Sequence, residues 1–256
     1  NDTAVAPPCI LATSSAIAAV LSEKGIHADV AAGLSLGEYS ALAYAGVFTP
    51  QEGAKLVRQR GKIMAAALPE GTSGMAAVLN TEESVIAEVC AEVKEIGVCE
   101  IANYNCPGQI VISGQKEAVA AASEKLKARG ARRVIPLQVS GAFHTSLLNE
   151  ASVQLREVLD TYAFGEEEIP VINNVSGKVE TRDLREVLQE QICHSVHFTQ
   201  SLQAMIDMGV ELFIEIGPGH ALSGFVRKTT KEVPVYHIDT TEDLEKVLKE
   251  VCPDGN

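Results

Sequence analysis

The stretch "AAGLSLGEYSALAYAG", residues 31–46, sets a serine inside Gly33-Leu34-Ser35-Leu36-Gly37, between a short apolar run and a segment with helical spacing. A strand that turns abruptly into a helix lifts such a hydroxyl above the end of a sheet, and the flanking glycines make room for so tight a turn. Free N–H groups at the helix start, with the positive end of its dipole, favour negative charge developing beside Ser35. The same residues admit a plainer reading, a serine that caps the helix it precedes. The two differ in what they require nearby: a nucleophile needs a base, and a cap does not.

Upstream of this stretch, residues 11–24 have helical spacing and 28–35 read as a short apolar strand. A second helix opens at "TPQE", Thr49 to Glu52, where Thr caps, Pro takes the first helical position and Glu closes a capping box. From residue 74 the texture changes to "GMAAVLN" (strand), "EESVIAEVCAEVK" (helix), "VCEIANYN" and "QIVISGQ" (strands), "KEAVAAASEKLKARG" (helix) and "RRVIPLQVS" (strand). That βαββαβ order belongs to a ferredoxin-like unit of about 65 residues, with "NCPG" as the turn between the middle strands. Beyond residue 140 helices again alternate with short apolar strands, among them "PVINNVS", "ELFIEIGPG" and "VPVYHID", which implies a mostly parallel sheet with helices on both faces. The expected fold is α/β: an α/β-hydrolase-like large catalytic domain over 1–72 and 140–256, with a ferredoxin-like small domain over 73–139 inserted in it. Sites in such sheets lie at the carboxyl ends of strands, and Ser35, Gly217 to Gly219 and His237 all follow expected strands.

The 256 residues, 46% apolar and 21% charged, have the composition of a soluble globular protein. Apolar stretches are broken by Gly, Glu or Lys short of the roughly 20 residues a membrane span requires. The start "NDTAVAPPC" lacks the basic and apolar segments of a signal peptide. The expectation is a cytoplasmic protein with no membrane partner. Cys9, Cys90, Cys99, Cys106, Cys193 and Cys252 show neither CxxC pairing nor histidines at zinc-ligand spacing, so free buried thiols are expected, with no metal site and no disulfide frame. A net charge of −13 argues against nucleic-acid binding by the whole surface. Arg132-Arg133 and "RKTTK" at 227–231 are local basic patches, each also readable as a solvated face.

Six histidines compete for the role of base. His27 and His197 sit in or beside amphipathic segments, and His194 and His220 near loops. His144 follows the last strand of the small domain, where the chain re-enters the large one, and can overhang Ser35; His237 is the second choice. No Asp occurs between Ser35 and His144, which weakens a conventional Ser-Asp-His hydrolase and leaves a glutamate or a backbone carbonyl to orient the ring. At about 100° per residue, Arg60 falls in the middle of the apolar face formed by Leu56, Val57, Ile63, Met64 and Ala67. An arginine rarely goes inside unpaired, and its planar fork suits a carboxylate. Either an internal Asp or Glu meets it, or a carboxylate of the substrate does.

These segments resemble the malonyl-CoA:acyl-carrier-protein transacylases of fatty-acid and polyketide synthesis over nearly the whole chain. "GLSLGEYSALAYAG" is similar to the family's nucleophile motif, "LVRQRGKIM" to its arginine helix, "NYNCPGQIVISG" to its small-domain hairpin, "GAFHTSLL" to its histidine motif and "EIGPGHALSGFVRK" to its C-terminal signature. The resemblance implies a two-step transfer from malonyl-CoA, a CoA thioester, to the phosphopantetheine arm of acyl carrier protein, with no bound cofactor. Ser35 is the implied nucleophile, His144 the base, Gln191 the residue whose main-chain carbonyl orients His144, and Leu36 the donor of an oxyanion amide. Arg60 would pair with the free carboxylate of malonate, Phe143 would exclude an α-methyl group, and Asn103 and Asn105 would lie near the donor or carrier arm. Leu34 stands where many members carry His.

The resemblance also implies an N-terminal strand and a Gly-Gln-Gly-x-Gln loop that these residues do not include, and hence a separate N-terminal fragment as a candidate partner. Two other functions stay open: a serine acyl hydrolase or thioesterase, against which Arg60 stands, and a carrier-protein docking module presenting Arg132, Arg133, Arg227 and Lys228 to an acidic partner.

Overall fold

A computed structural model describes residues 5–139 and 141–251. Helix α1 (Ala6–Glu23) is followed by strand β1 (Ala31–Ala32), α2 (Leu36–Tyr44) and α3 (Pro50–Ala66). The start of α3 is built as its sequence dictates. Pro sits in the first turn, the Glu52 amide donates to Thr49 Oγ1 at 3.2 Å, and Glu52 Oε2 accepts from the Thr49 amide at 2.9 Å. That cap fixes the phase of the helix, and its buried face comprises Gly53, Leu56, Val57, Arg60, Gly61 and Met64.

The next elements are β2 (Ser73–Leu79), α4 (Glu83–Glu92), β3 (Cys99–Cys106), β4 (Gln109–Gln115), α5 (Lys116–Ala128) and β5 (Arg133–Leu137). They form one sheet of order β3-β4-β2-β5 in which every neighbouring pair is antiparallel. Cys106 pairs with Gln109, so Pro107 and Gly108 make the connecting turn, Gly108 with φ 76°. Alternation along β2 splits the strand between two faces. Ala76 and Val78 join Ile86, Val89, Ile112 and Leu126 under the two helices, while Met75 and Ala77 join Ala102 and Val111 on the other face, against Leu137 and Phe143. Phe143 also packs on the core that contains Leu56 and Tyr39, so it links this sheet to α2 and α3. Edge strand β3 is tied further: the Tyr104 amide donates to the Val196 carbonyl and the Val196 amide to the Ala102 carbonyl, each at 2.8 Å.

A short 3-10 turn (Ser146–Leu148) leads into α6 (Asn149–Leu159), β6 (Val171–Ile172), α7 (Leu184–Gln191), α8 (Phe198–Asp207), β7 (Phe213–Ile216), α9 (Ala221–Thr229), β8 (Val235–Ile238) and α10 (Thr241–Val251). Parallel pairing occurs between β1 and β6 and between β7 and β8. The expectation of one mostly parallel sheet is corrected here: among the described residues these are two separate pairs, and the larger sheet is antiparallel. The strands expected over 28–35 and 170–176 shrink to two residues each because their ends are spent on turns. Asn173 accepts from the Gly177 amide and donates its side chain to Ser176 and to the Lys178 carbonyl.

Two composition-based expectations also change. Helix α1, at 18 residues, is long and apolar enough by composition to cross a membrane; here its Leu11 packs in the core with Leu56, and its Leu21 with Ile238 and Val247. Of the thiols, Cys90, Cys99, Cys106 and Cys193 are free and buried, Cys9 is free but exposed, and Cys252 lies outside the described residues.

Candidate active site

Ser35 precedes α2 with φ 54° and ψ −100°, a backbone state that a non-glycine residue keeps only when its surroundings over-determine it. Its side chain makes no capping bond. Instead Oγ lies 2.9 Å from His144 Nε2 and accepts a hydrogen bond of 2.9 Å from Arg60 Nη2. The amide of Leu36 opens α2, where it has no acceptor within the helix and points with the first turn.

Two features hold the turn. A Cβ at Gly33 would stand 2.0 Å from the carbonyl carbon of Gly37, so position 33 admits only glycine. At Gly37 a Cβ would meet nothing within 4 Å, and the expectation that both glycines relieve crowding is corrected to one. Asn174, which sequence reasoning missed, clasps the turn. Its Oδ1 accepts from the Ser35 amide and its Nδ2 donates to the Gly33 carbonyl, both at 2.6 Å.

His144 also has a positive φ, 61°, and its amide donates to the Ile192 carbonyl at 3.0 Å. Nδ1 is 2.7 Å from the main-chain carbonyl of Gln191. A carbonyl only accepts, so Nδ1 carries the proton and Nε2 turns its lone pair to the serine hydroxyl. Among the described residues no carboxylate bonds this ring. Burial, and after it the charge of Arg60, push the imidazole down to about 4, so it is neutral near pH 7 and free to take a proton. The rival base, His237, lies 3.8 Å from Asp243 and beside His220, with no contact to Ser35.

Arg60 is 5% exposed. Nη2 donates to Gln191 Oε1 at 2.9 Å as well as to Ser35, the guanidinium carbon lies 5.3 Å from the centre of the Tyr39 ring, and Nε is buried without a hydrogen-bond partner. Among the described residues no carboxylate forms a salt bridge with it. Burial pulls its pKa down, opposed by Tyr39 and Glu38, yet a guanidinium stays charged in proteins. The site therefore holds a neutral base, a hydroxyl and a buried cation that lacks a contacting anion.

Glu38 is a second residue that sequence reasoning missed. It is 1% exposed, and its Oε2 accepts from Gln191 Nε2 at 2.7 Å and from the Asn174 amide at 3.0 Å. Burial raises this carboxyl to about 7 against the lowering effect of those bonds and of Arg60. Its signal was available in principle: like Arg60, it is a charge within an apolar helix, here "LGEYSAL".

Asn103 and Asn105 are buried on β3, Asn103 at the bridge to Val196 and Asn105 with its Oδ1 unpartnered. Among the described contacts neither bonds to Ser35, Arg60, His144 or Gln191. A cavity of about 520 Å³ lies against His144, lined also by Glu100, Ile101, His194 and Ser195, and neither asparagine lines it. Arg132, Arg133, Arg227 and Lys228 are exposed.

A family model described as "Acyl transferase domain" matches residues 1–249. The chain belongs to this acyl transferase family. It is 43% identical over 247 residues to the malonyl CoA-acyl carrier protein transacylase of Bacillus subtilis (strain 168), covering 95% of this chain and 78% of that protein. Its structure resembles the crystal structure of malonyl CoA-acyl carrier protein transacylase from Clostridium perfringens ATCC 13124, with a TM-score of 0.96, 40% identity and coverage of 98% of this chain and 80% of that one. A type II PKS acyl-carrier protein in complex with its malonyl-transacylase contains a chain similar at a TM-score of 0.94 and 38% identity, covering 98% of this chain and 82% of that one.

The crowding at the serine turn of this acyl transferase predicts an asymmetry. Gly33→Ala loses at least the ~1–3 kcal/mol typical of overpacking, whereas Gly37→Ala leaves the midpoint of urea unfolding unchanged or raised. A neutral His144 predicts that a fluorophosphonate labels Ser35 at a constant rate from pH 8 down to about 5, and that the rate drops about tenfold per unit below the imidazole value of about 4. A decline centred on pH 6.5 would contradict the burial argument.

Proposed function

We propose that this acyl transferase moves the malonyl group from malonyl-CoA to the phosphopantetheine thiol of acyl carrier protein through a malonyl ester on Ser35, in fatty-acid or polyketide synthesis. The observation that carries the reading is the buried Arg60, which shares a hydroxyl with His144 and, among the described residues, has no carboxylate bonded to it. The relatives' names and the carrier-protein complex support it from outside the site.

In the first half-reaction Ser35 Oγ attacks the thioester carbonyl while His144 Nε2 takes its proton. The oxygen of the tetrahedral intermediate gains negative charge beside the Leu36 amide. The carbon–sulfur bond then breaks, and CoA leaves as the thiol with the proton from His144. In the second half-reaction the pantetheine thiol gives its proton to His144 and attacks the ester carbonyl. The ester C–O bond breaks, and Ser35 recovers its proton. The Gln191 carbonyl keeps Nδ1 protonated in both halves and steadies the imidazolium that forms between them. The exchange is between acyl esters of sulfur and oxygen, so it needs no bound cofactor.

Arg60 supplies selectivity. Each charge-assisted hydrogen bond from its guanidinium to the malonyl carboxylate is worth about 1.5–3 kcal/mol, a term that acetyl and longer neutral acyl groups lack. Phe143, wedged between the two cores, limits the acyl pocket, with rejection of an α-methyl worth about 1–3 kcal/mol. Asn103 and Asn105 are assigned to the thioester arm because their segment, "NYNCPGQIVISG", resembles the family's small-domain hairpin, and both are buried amides on β3. The organisation that supports this site is read as an α/β-hydrolase-like body over 1–72 and 140–256 carrying a ferredoxin-like unit over 73–139; the strand order β3-β4-β2-β5 and a separate core under α4 and α5 support it.

Incubation with radiolabelled malonyl-CoA tests the assignment. Label should attach to Ser35, persist, and pass to a carrier protein on addition. Label that escapes to water without passing on would mark a hydrolase, and absence of label a binding module. Arg60→Ala should lower the preference for malonyl over acetyl donors by about 10- to 100-fold, the equivalent of one charge-assisted bond, and raise the ratio of hydrolysis to transfer. An unchanged preference would remove Arg60 from the acyl site.

A further inference from the structure

Among the described residues Glu38 is the only carboxylate that is fully buried, and the two half-reactions above give it no step. Its contacts nevertheless lead to every reacting group. Glu38 Oε2 accepts from the side-chain amide of Gln191 and from the backbone of Asn174. Asn174 in turn holds the Ser35 amide. Gln191 reaches the catalytic groups twice, by its main-chain carbonyl to His144 and by Oε1 to Arg60.

A terminal amide has nearly the same shape either way round, and only its neighbours decide which end is which. Gln191 Nε2 faces two acceptors, Glu38 Oε2 at 2.7 Å and the Ser35 carbonyl at 2.9 Å. Its Oε1 faces a donor, Arg60 Nη2, at 2.9 Å. Turning the amide over would set its NH₂ against the guanidinium and its oxygen against two acceptors. The carboxylate thus fixes the amide, and the amide aims the arginine. A direct Glu–Arg pair would instead occupy the guanidinium with an internal anion. The intervening amide transmits alignment and leaves the cation uncontacted by carboxylate.

We propose that Glu38 is a positioning residue for acyl selectivity: acting through the Gln191 amide, it holds Arg60 aligned for a substrate carboxylate without itself contacting the guanidinium. This rests on the malonyl reading above. A merely structural Glu38 would support the serine turn and the His144 carbonyl alike, and its loss would slow all acyl donors together. A selectivity role separates donors with a carboxylate from those without.

The test measures kcat/KM for acylation of Ser35 from malonyl-CoA and from acetyl-CoA by intact mass, in the full chain. Glu38→Gln should lower the malonyl-to-acetyl ratio about tenfold, the change residing in KM for malonyl-CoA. Gln191→Met, which keeps the main-chain carbonyl for His144, should lower the ratio to a similar extent. The double variant should then fall no more than about twofold below either single one, because the two residues act in series. A wild-type ratio in Glu38→Gln, even with both rates reduced, would overturn the proposal. If that variant does not fold, Gln191→Met decides alone, and an unchanged ratio there overturns it. A wild-type protein that loads both donors alike, or neither, would overturn the malonyl reading and this one with it.

Discussion

A guanidinium taken out of water must be answered by something, and at Arg60 it is answered by dipoles. The Ser35 hydroxyl oxygen, the Gln191 side-chain amide oxygen and the face of Tyr39 surround it, and none carries a full negative charge. Dipoles recover only part of the hydration a cation loses on burial. The fold thus retains a cation whose contacts compensate its lost hydration only in part. The long capped helix that carries Arg60, the aromatic partner on α2 and the amide on α7 all serve to keep it in that state.

The same constraint accounts for where strain is stored. Ser35 and His144 are the two catalytic candidates, and both have positive φ without being glycine. Each is held by backbone-directed bonds to segments far away in sequence. Asn174 grips the serine turn, and the carbonyls of Gln191 and Ile192 grip the histidine. Because the holding groups come from after β6 and from the end of α7, the hydroxyl and the imidazole are aligned only once the distant parts of the chain have packed. Local sequence alone would relax both residues.

This division explains what could be read from the chain before its structure. Elements with strong local signals were legible: the capped start of α3, the alternating β2 and β4, and the proline-glycine turn between β3 and β4. The burial of Arg60 followed from helical phase, and its lack of an internal acid could not, since pairing is settled by tertiary packing. The parallel strands were misjudged in length because Asn173 and Asn174 read as strand in an apolar run, while their side chains make turn contacts. Glu38 escaped notice for a related reason. A carboxylate in the first turn of a helix is ordinary surface chemistry, and that reading outweighs the signal of a charge within an apolar helix.

Burial acts on the site's two titrating groups in opposite directions. His144 falls from 6.5 to about 4 on folding, so its neutral form contributes stability in full above pH 6.5, which is lost as pH falls toward 4. Glu38 rises from 4.5 to about 7, so its contribution is present below pH 4.5 and is lost as pH rises through 7. Near neutrality the histidine supports the fold while Glu38, with its value near 7, is only partly ionised, the two donors on its Oε2 and the field of Arg60 keeping burial from raising it further. Selection for stability alone would replace this group with an apolar one. Its place beneath Gln191 fits the positioning role proposed for it, since the amide contacts both groups while Glu38 itself makes no bond to Arg60.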